Sequence, residues 1–190
     1  MASGRSTKLT GAVGEFLVAA ELCRRNLIAT PFSGNVPHYD IIASGQFGGH
    51  VVIQVKAINH DTWQFDIGKF VQVQFEGERQ ILGRLRNEPY PDLVCVLVML
   101  RARGADRFFI LRWTELQHIL VESHRQYLTK HGGRRPKAVQ SLHISLGVAD
   151  VRHREDNWEL IEGMLPLEHP SSPSTDTDDR IEGAAAGDGD

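Results

Sequence analysis

Three charged residues and one amide occupy positions where the surrounding pattern calls for apolar side chains. Glu15 has Ala12, Val18, Ala19 and Leu22 at i−3, i+3, i+4 and i+7, which puts it on the core-facing stripe of a helix. Asp40 sits in Tyr39-Asp40-Ile41-Ile42, a strand whose other members are apolar. Lys56 belongs to residues 51–58, where side chains alternate, so Val52, Gln54 and Lys56 share one face and Ile53, Val55 and Ala57 the other. Burying an unpaired charge costs on the order of several kcal/mol, so such groups must find one another. Glu15, Asp40 and Lys56 together carry −1. With the Gln54 amide oxygen they make surroundings that hold a hard divalent cation, Mg²⁺ or Mn²⁺. Each residue alone has an ordinary structural reading: a Lys–Asp salt bridge, or a Glu bonded to a backbone amide. The four together, at matching parity, favour a site.

Positioning them takes one helix and one hairpin. Thr10 is the expected N-cap of a helix over residues 11–25. Arg24 and Arg25 suit the dipole of its last turn, and Asn26 suits its end. Glu21, with those arginines at i+3 and i+4, reads as a solvated ion pair. Gly14 lets the helix approach the sheet closely. Residues 27–32, 39–43 and 51–58 read as strands, and the glycine-rich link 44–49 makes the last two an antiparallel hairpin. That hairpin brings Asp40 beside Gln54 and Lys56, and the helix, packed on the same face, adds Glu15.

Further along, a short helix is expected near residues 67–70. Strands are expected at 93–100 and 107–111, with a turn at 103–106. A second helix runs from Thr114 to about His131, with Gln117 placed for a capping box and Gly132-Gly133 as its stop. This is an α/β layered domain with a mixed sheet, residues 10–165, preceded by a flexible stretch over 1–9. Residues 166–190, with Pro166, Pro170, Pro173 and few large apolar side chains, read as a disordered acidic tail.

Composition excludes several classes. The chain has 190 residues, 41% of them hydrophobic and 24% charged, which is ordinary globular usage. The longest apolar run, residues 93–100, is far short of a membrane span. The first residues lack the apolar core of a signal peptide, and Cys23 and Cys95 both lie in apolar segments. A cytoplasmic protein with reduced core cysteines, away from membranes, is expected. Net charge is −3, but residues 171–190 hold six acids and Arg180, so the remainder carries +2. So small a surplus does not announce nucleic acid; that reading has to come from the site.

Gly14-Glu15, Tyr39-Asp40 and Gln54-Val55-Lys56 resemble the motif of the PD-(D/E)XK nuclease superfamily, the restriction-endonuclease-like fold: a Glu on the first helix, an Asp on the second strand and (D/E)-x-K on the third. The run Gly-x-x-Gly-Glu, Tyr-Asp-Ile-Ile, Ile-Gln-Val-Lys, over residues 11–58, is similar to Holliday-junction resolvases and some homing endonucleases of that superfamily. The resemblance implies a three-layer core with a mixed central sheet flanked by helices. It also implies a Mg²⁺-dependent endonuclease hydrolysing DNA phosphodiester bonds. Asp40 would be the main metal ligand, joined by the Gln54 amide oxygen, the Val55 carbonyl and Glu15, directly or through water. Lys56 would orient the attacking water or stabilise charge on the phosphate. Two departures stand out: Tyr39 rather than Pro precedes Asp40, and Gln54 replaces the usual acid, which removes a negative charge from the site.

Other motifs are weaker. His118, His124 and His131 lie six and seven residues apart, without the spacing of a zinc pair, and read as surface or supporting residues. No P-loop and no nucleophile elbow occurs. Arg134, Arg135 and Lys137 form a small basic loop able to meet DNA phosphates, and Arg84 with Arg86 is a lesser candidate. Trp63 and Phe65 lie near the site in sequence and read mainly as core. Residues 157–161 should pack the end of the domain. Besides the endonuclease, two other readings fit: a nuclease fold that binds DNA or assembles without cutting, and an interaction protein whose interior charges only stabilise it. Cutting both strands of a duplex would favour a homodimer.

Overall fold

Side-chain alternation on the third strand decides how the layers stack. In the computed structural model, which describes residues 4–32 and 38–165, helix α1 (Gly4–Arg24) is followed by strands β1 (Ile28–Pro31), β2 (Ile41–Gly45) and β3 (Gly48–Ile58). Next come β4 (Thr62–Asp66), a 3₁₀ turn (Ile67–Lys69), and the pair β5 (Val71–Glu76) and β6 (Arg79–Leu85). β7 (Val94–Met99), β8 (Arg107–Arg112) and α2 (Trp113–Lys130) complete the centre. β9 (His143–Gly147), α3 (Val148–Val151) and α4 (Glu159–Glu162) end the described chain.

The main sheet has the order β1-β2-β3-β7-β8. β3 and β7 pair in parallel and every other pair is antiparallel, so the sheet is mixed. Val51, Ile53, Val94, Val96, Val98, Phe108 and Ile110 face α1 and the C-terminal segment with Trp158 and Ile161. Val52, Cys95, Leu97, Met99, Phe109 and Leu111 face α2, Trp63 and the 3₁₀ turn. Two helical layers thus enclose one sheet, the three-layer α/β architecture expected. β4 pairs with β9, and β5 with β6, in two small sheets on the α2 side.

Several boundaries differ from expectation. α1 begins at Gly4, so Thr10 lies inside it rather than capping it, and residues 4–9, read as loose, are helical. Once a helix is nucleated, each added residue brings one more hydrogen bond. Its other end is as expected: Asn26 adopts φ 60°, with Asn26 N–H bonding Cys23 O and Leu27 N–H bonding Leu22 O, a Schellman closure. Glu21 pairs with Arg24 at 2.6 Å and Arg25 at 2.9 Å. α2 starts at Trp113 without a side-chain cap. Gln117 is buried and donates instead to the carbonyls of Phe70 (2.6 Å) and Arg86 (2.8 Å). Cys95 is buried and Cys23 is exposed, a correction to the core placement expected of it; both are free. Trp158 and Ile161 are buried, closing the domain as residues 157–161 were expected to do. Among the described residues no helix is long and apolar enough to cross a membrane. The acidic tail, 166–190, and residues 1–3 lie outside the described residues.

Candidate active site

The site forms where β2 begins and β3 runs past it. Asp40 directly precedes β2; its N–H bonds the Ile53 carbonyl at 2.8 Å, and its Oδ2 accepts from the Val55 N–H at 2.7 Å. The carboxylate therefore takes the place of the next β2 backbone group and lies along the edge of β3. In a strand, the N–H and C=O of one residue lie on the same side, so the Val55 carbonyl opens on this same edge, beyond the start of β2.

Glu15 approaches from the other helical layer. α1 packs against the Val55 and Ala57 face of β3: a Cβ on Gly14 would sit 2.4 Å from the Ala57 Cβ and 3.5 Å from Val55 Cγ1. Gln54 and Lys56 point to the opposite face, together with Val52. The expectation that all four groups share one face is therefore corrected. Glu15 comes from one side of the sheet, Gln54 and Lys56 from the other, and Asp40 sits between them at the strand edge. Strand parity fixes which β3 residues share a face; it does not fix which face the helix covers.

The charges act on each other without closing an ion pair. Burial, and then the nearby Asp40 carboxylate, push the Glu15 carboxyl above its ordinary range. Burial raises Asp40 as well, against the opposing pull of the Val55 N–H and of Lys56. Lys56 is lowered by burial and by Lys69, with Asp40 opposing. Among the described residues no ion pair within 4 Å joins Lys56 to Asp40 or to Glu15; the Lys56 ammonium lies 5.0 Å over the Phe65 ring instead. Its main chain is held by the Trp63 indole, which donates to the Lys56 carbonyl at 3.0 Å. Trp63 is fully buried, so the strand carrying Lys56 is anchored while its side chain stays free of a carboxylate partner.

Lys56, Gln54 and Val55 line a cavity of about 890 Å³. Sequence reasoning missed most of its other polar walls: Lys69, His38, His143 and Asp66. Arg86, a lesser candidate, lines it too, as does Phe65, while Trp63 is core. Lys69 had no signal in the sequence beyond its place after a short apolar turn; tertiary packing brings it in. Glu15 and Asp40 are not part of this lining. Among the described residues the cavity wall holds three basic side chains, Lys56, Lys69 and Arg86, and one acid, Asp66.

The donor set fits a hard cation. Two half-buried carboxylates, a backbone carbonyl on the same edge and an amide on the opposite face are oxygen donors of the type suited to Mg²⁺ with water filling the remaining positions. Among the described residues no group of three or more His, Cys, Asp or Glu side chains is placed to hold a metal. Any cation here therefore depends on the amide, the carbonyl and water as well as on the two acids.

No family model matches the chain, and no curated protein matches it in sequence. Among solved structures, that of a bacterial homing endonuclease, I-Ssp6803I, is similar with a TM-score of 0.44 and 13% sequence identity, over 82% of this chain and 93% of that one.

The basic loop is engaged within the protein. Arg134 pairs with Glu78 at 2.5 Å. Arg135 donates to the His143 carbonyl and lies 5.4 Å over the Tyr127 ring. Lys137 is exposed. Of the three histidines, His118 is exposed and His131 half-buried, but His124 is buried and bonds Gln80 at 2.9 Å.

Proposed function

We propose that this chain is a metal-dependent endonuclease of the PD-(D/E)XK type that hydrolyses DNA phosphodiester bonds. What supports this reading is Asp40 at the β2–β3 edge, held by the Val55 N–H, with Glu15 near it on one face of the sheet and Lys56, in no ion pair among the described residues, on the other beside a cavity lined by further basic side chains. A structural salt bridge would have closed Lys56 onto Asp40. Asp40, Glu15, the Gln54 amide oxygen and the Val55 carbonyl would hold Mg²⁺ or Mn²⁺. Bound there, the ion supplies Lewis-acid polarisation of the phosphate and an acidified water.

The chain's own residues do the rest. Val55 N–H fixes the Asp40 carboxylate, leaving its second oxygen for the cation. Lys56, anchored through Trp63, aims a lone ammonium at the phosphate or at the attacking water. Its proton affinity, lowered by burial, eases the sharing of a proton with a neighbouring water. Lys69 and Arg86 attract the backbone phosphates into the cavity. Cutting both strands of a duplex requires two such sites, which a symmetric dimer supplies.

Gln54, an uncharged residue where an acid is usual, favours one second reading: a module that binds DNA without cutting it. Incubation with supercoiled, linear and branched DNA in Mg²⁺, Mn²⁺ or EDTA separates the two. A nuclease nicks DNA in either metal, stops in EDTA and loses activity as Lys56→Ala. Metal-independent binding with no product supports the silent module. Cleavage by Lys56→Ala at the wild-type rate contradicts the assigned site.

A further inference from the structure

β5 and β6 form a two-stranded ribbon of their own, and both its roots border the cavity. Lys69 and Phe70 precede β5, Arg86 follows β6, and all three line the cavity. The ribbon is held firmly from its inner side. Gln117 clamps the two roots through the Phe70 and Arg86 carbonyls. Gln80, also buried, donates from Nε2 to the carbonyls of Val139 (2.9 Å) and Ser141 (3.1 Å), and its backbone N–H bonds the Gly133 carbonyl.

The other side carries Gln72, Gln74 and the half-buried Ile81, the cross-strand partner of Gln74, with a register shift of the ribbon at Gln72. Along β5, Val71 is buried and Val73 half-buried, while Gln72 and Gln74 between and after them are exposed, as period-two alternation requires. Arg84 on β6 is exposed. Among the described residues no side chain of Gln72, Gln74 or Arg84 makes a hydrogen bond or ion pair, and their backbones belong to the paired strands of the ribbon. Opposite Gln72 stands Gly83, where a Cβ would meet the Gln72 Cβ at 3.5 Å, so the backbone there carries no side chain to block an approaching group.

We infer that the outer face of the β5–β6 ribbon reads base edges in the major groove of duplex DNA and confers sequence preference on the site. This rests on the nuclease reading above. A two-stranded ribbon fits the major groove, a glutamine side chain matches the donor–acceptor pair of adenine, and an arginine matches guanine. Phosphates held at the cationic root by Lys69 and Arg86 would fix the register of the duplex, and the clamped inner face keeps the readers rigid. The acids of the ribbon lie at its far tip, Glu76 and Glu78, the second paired with Arg134. Charge therefore falls from root to tip, placing the phosphate contacts at the root.

The test is selection by the full chain, in EDTA, from a pool of duplexes with a randomised central segment. Wild type should enrich a defined sequence. Gln72→Ala with Gln74→Ala should flatten the preference at the contacted pairs by about tenfold. Gln74→Glu should move one preferred adenine toward cytosine, because a carboxylate accepts from the cytosine amino group; a loss of packing cannot produce that change. Lys69→Ala and Arg86→Ala should weaken binding to all sequences and flatten its salt dependence. If wild type enriches a sequence and the ribbon variants enrich the same one equally well, the ribbon inference is overturned and the nuclease reading stands. Wild-type binding without any preference overturns the ribbon inference alone. Failure of wild type to bind any duplex overturns both.

Discussion

Two groups of polar side chains lie within this fold, and they are built in opposite ways. Gln80 and His124, on the α2 side, are 3% and 1% exposed. His124 Nε2 meets Gln80 Oε1 at 2.9 Å, and the Gln80 amide donates to two carbonyls. Among the described residues no buried side-chain polar atom is left without a partner, this group included, as the interior demands. Glu15, Asp40 and Lys56 are half-buried, and among the described residues the one hydrogen bond to their side chains is that from Val55 N–H to Asp40. Burial and, for Glu15, a like charge disfavour the ionised acids. Polar groups that serve only the fold satisfy each other; on the proposed reading, the second set is completed by a cation and a phosphate.

The comparison breaks most sharply on activity. Lys56→Ala should cut cleavage by about 10²–10³-fold and leave folding intact, whereas Gln80→Ala should leave the chemistry of the folded fraction unchanged; gel assays of nicking per folded molecule measure both. On stability the order inverts. Gln80→Ala strips a buried imidazole and two carbonyls of their partner and should cost about 1–3 kcal/mol, read by denaturant melts. Gly14→Ala drives a methyl into Ala57, with an overpacking cost of about 1–3 kcal/mol, and shifts Glu15 with it, so activity should fall together with stability.

The two regions also predict opposite pH slopes. Burial, followed by Arg135, holds His124 down to about 4. The unfolded chain therefore binds more protons than the folded one between that value and the ordinary 6.5, and stability is lost as pH falls through this window, by on the order of 3 kcal/mol at most. His124→Gln should flatten that loss in melts at successive pH values. Glu15 and Asp40 are raised in the fold, so their contribution runs the other way: stability falls as pH rises from their ordinary values through the raised ones. The smallest effect follows from this. Glu15→Gln removes a repelled charge and, without metal, should stabilise the protein near neutral pH by about 1 kcal/mol, while lowering nuclease activity.

How much of this was legible in the sequence depended on how local the signal is. The alternation over residues 51–58, the glycines of the hairpin and the Asn26 closure involve near neighbours, and each appears where expected. Gly14 was legible too, since only a residue without a side chain tolerates the contact with Ala57. The pairing of Thr62 with Gly147 joins segments far apart in the chain, so that small sheet did not announce itself; Val71-Gln72-Val73-Gln74-Phe75-Glu76 does alternate apolar with polar, and the strand signal of β5 was legible there although no strand was expected. Gln117 has the spacing of a capping residue, yet burial gives it two carbonyls to satisfy instead. The candidate site residues stood out because charges occupied positions where apolar atoms belong. Their distribution over both faces of the sheet, and the arrival of Lys69 and Arg86, are consequences of tertiary packing that spacing does not encode.

The central claim is that the acid pair at the β2–β3 edge is built for a divalent cation. Titration of Mn²⁺ into the full chain, followed by electron paramagnetic resonance, tests it directly. The account predicts one bound Mn²⁺ per chain in wild type and in Lys56→Ala, and its loss in Asp40→Asn. Equal binding by wild type and Asp40→Asn, or none by wild type at saturating Mn²⁺, would contradict it.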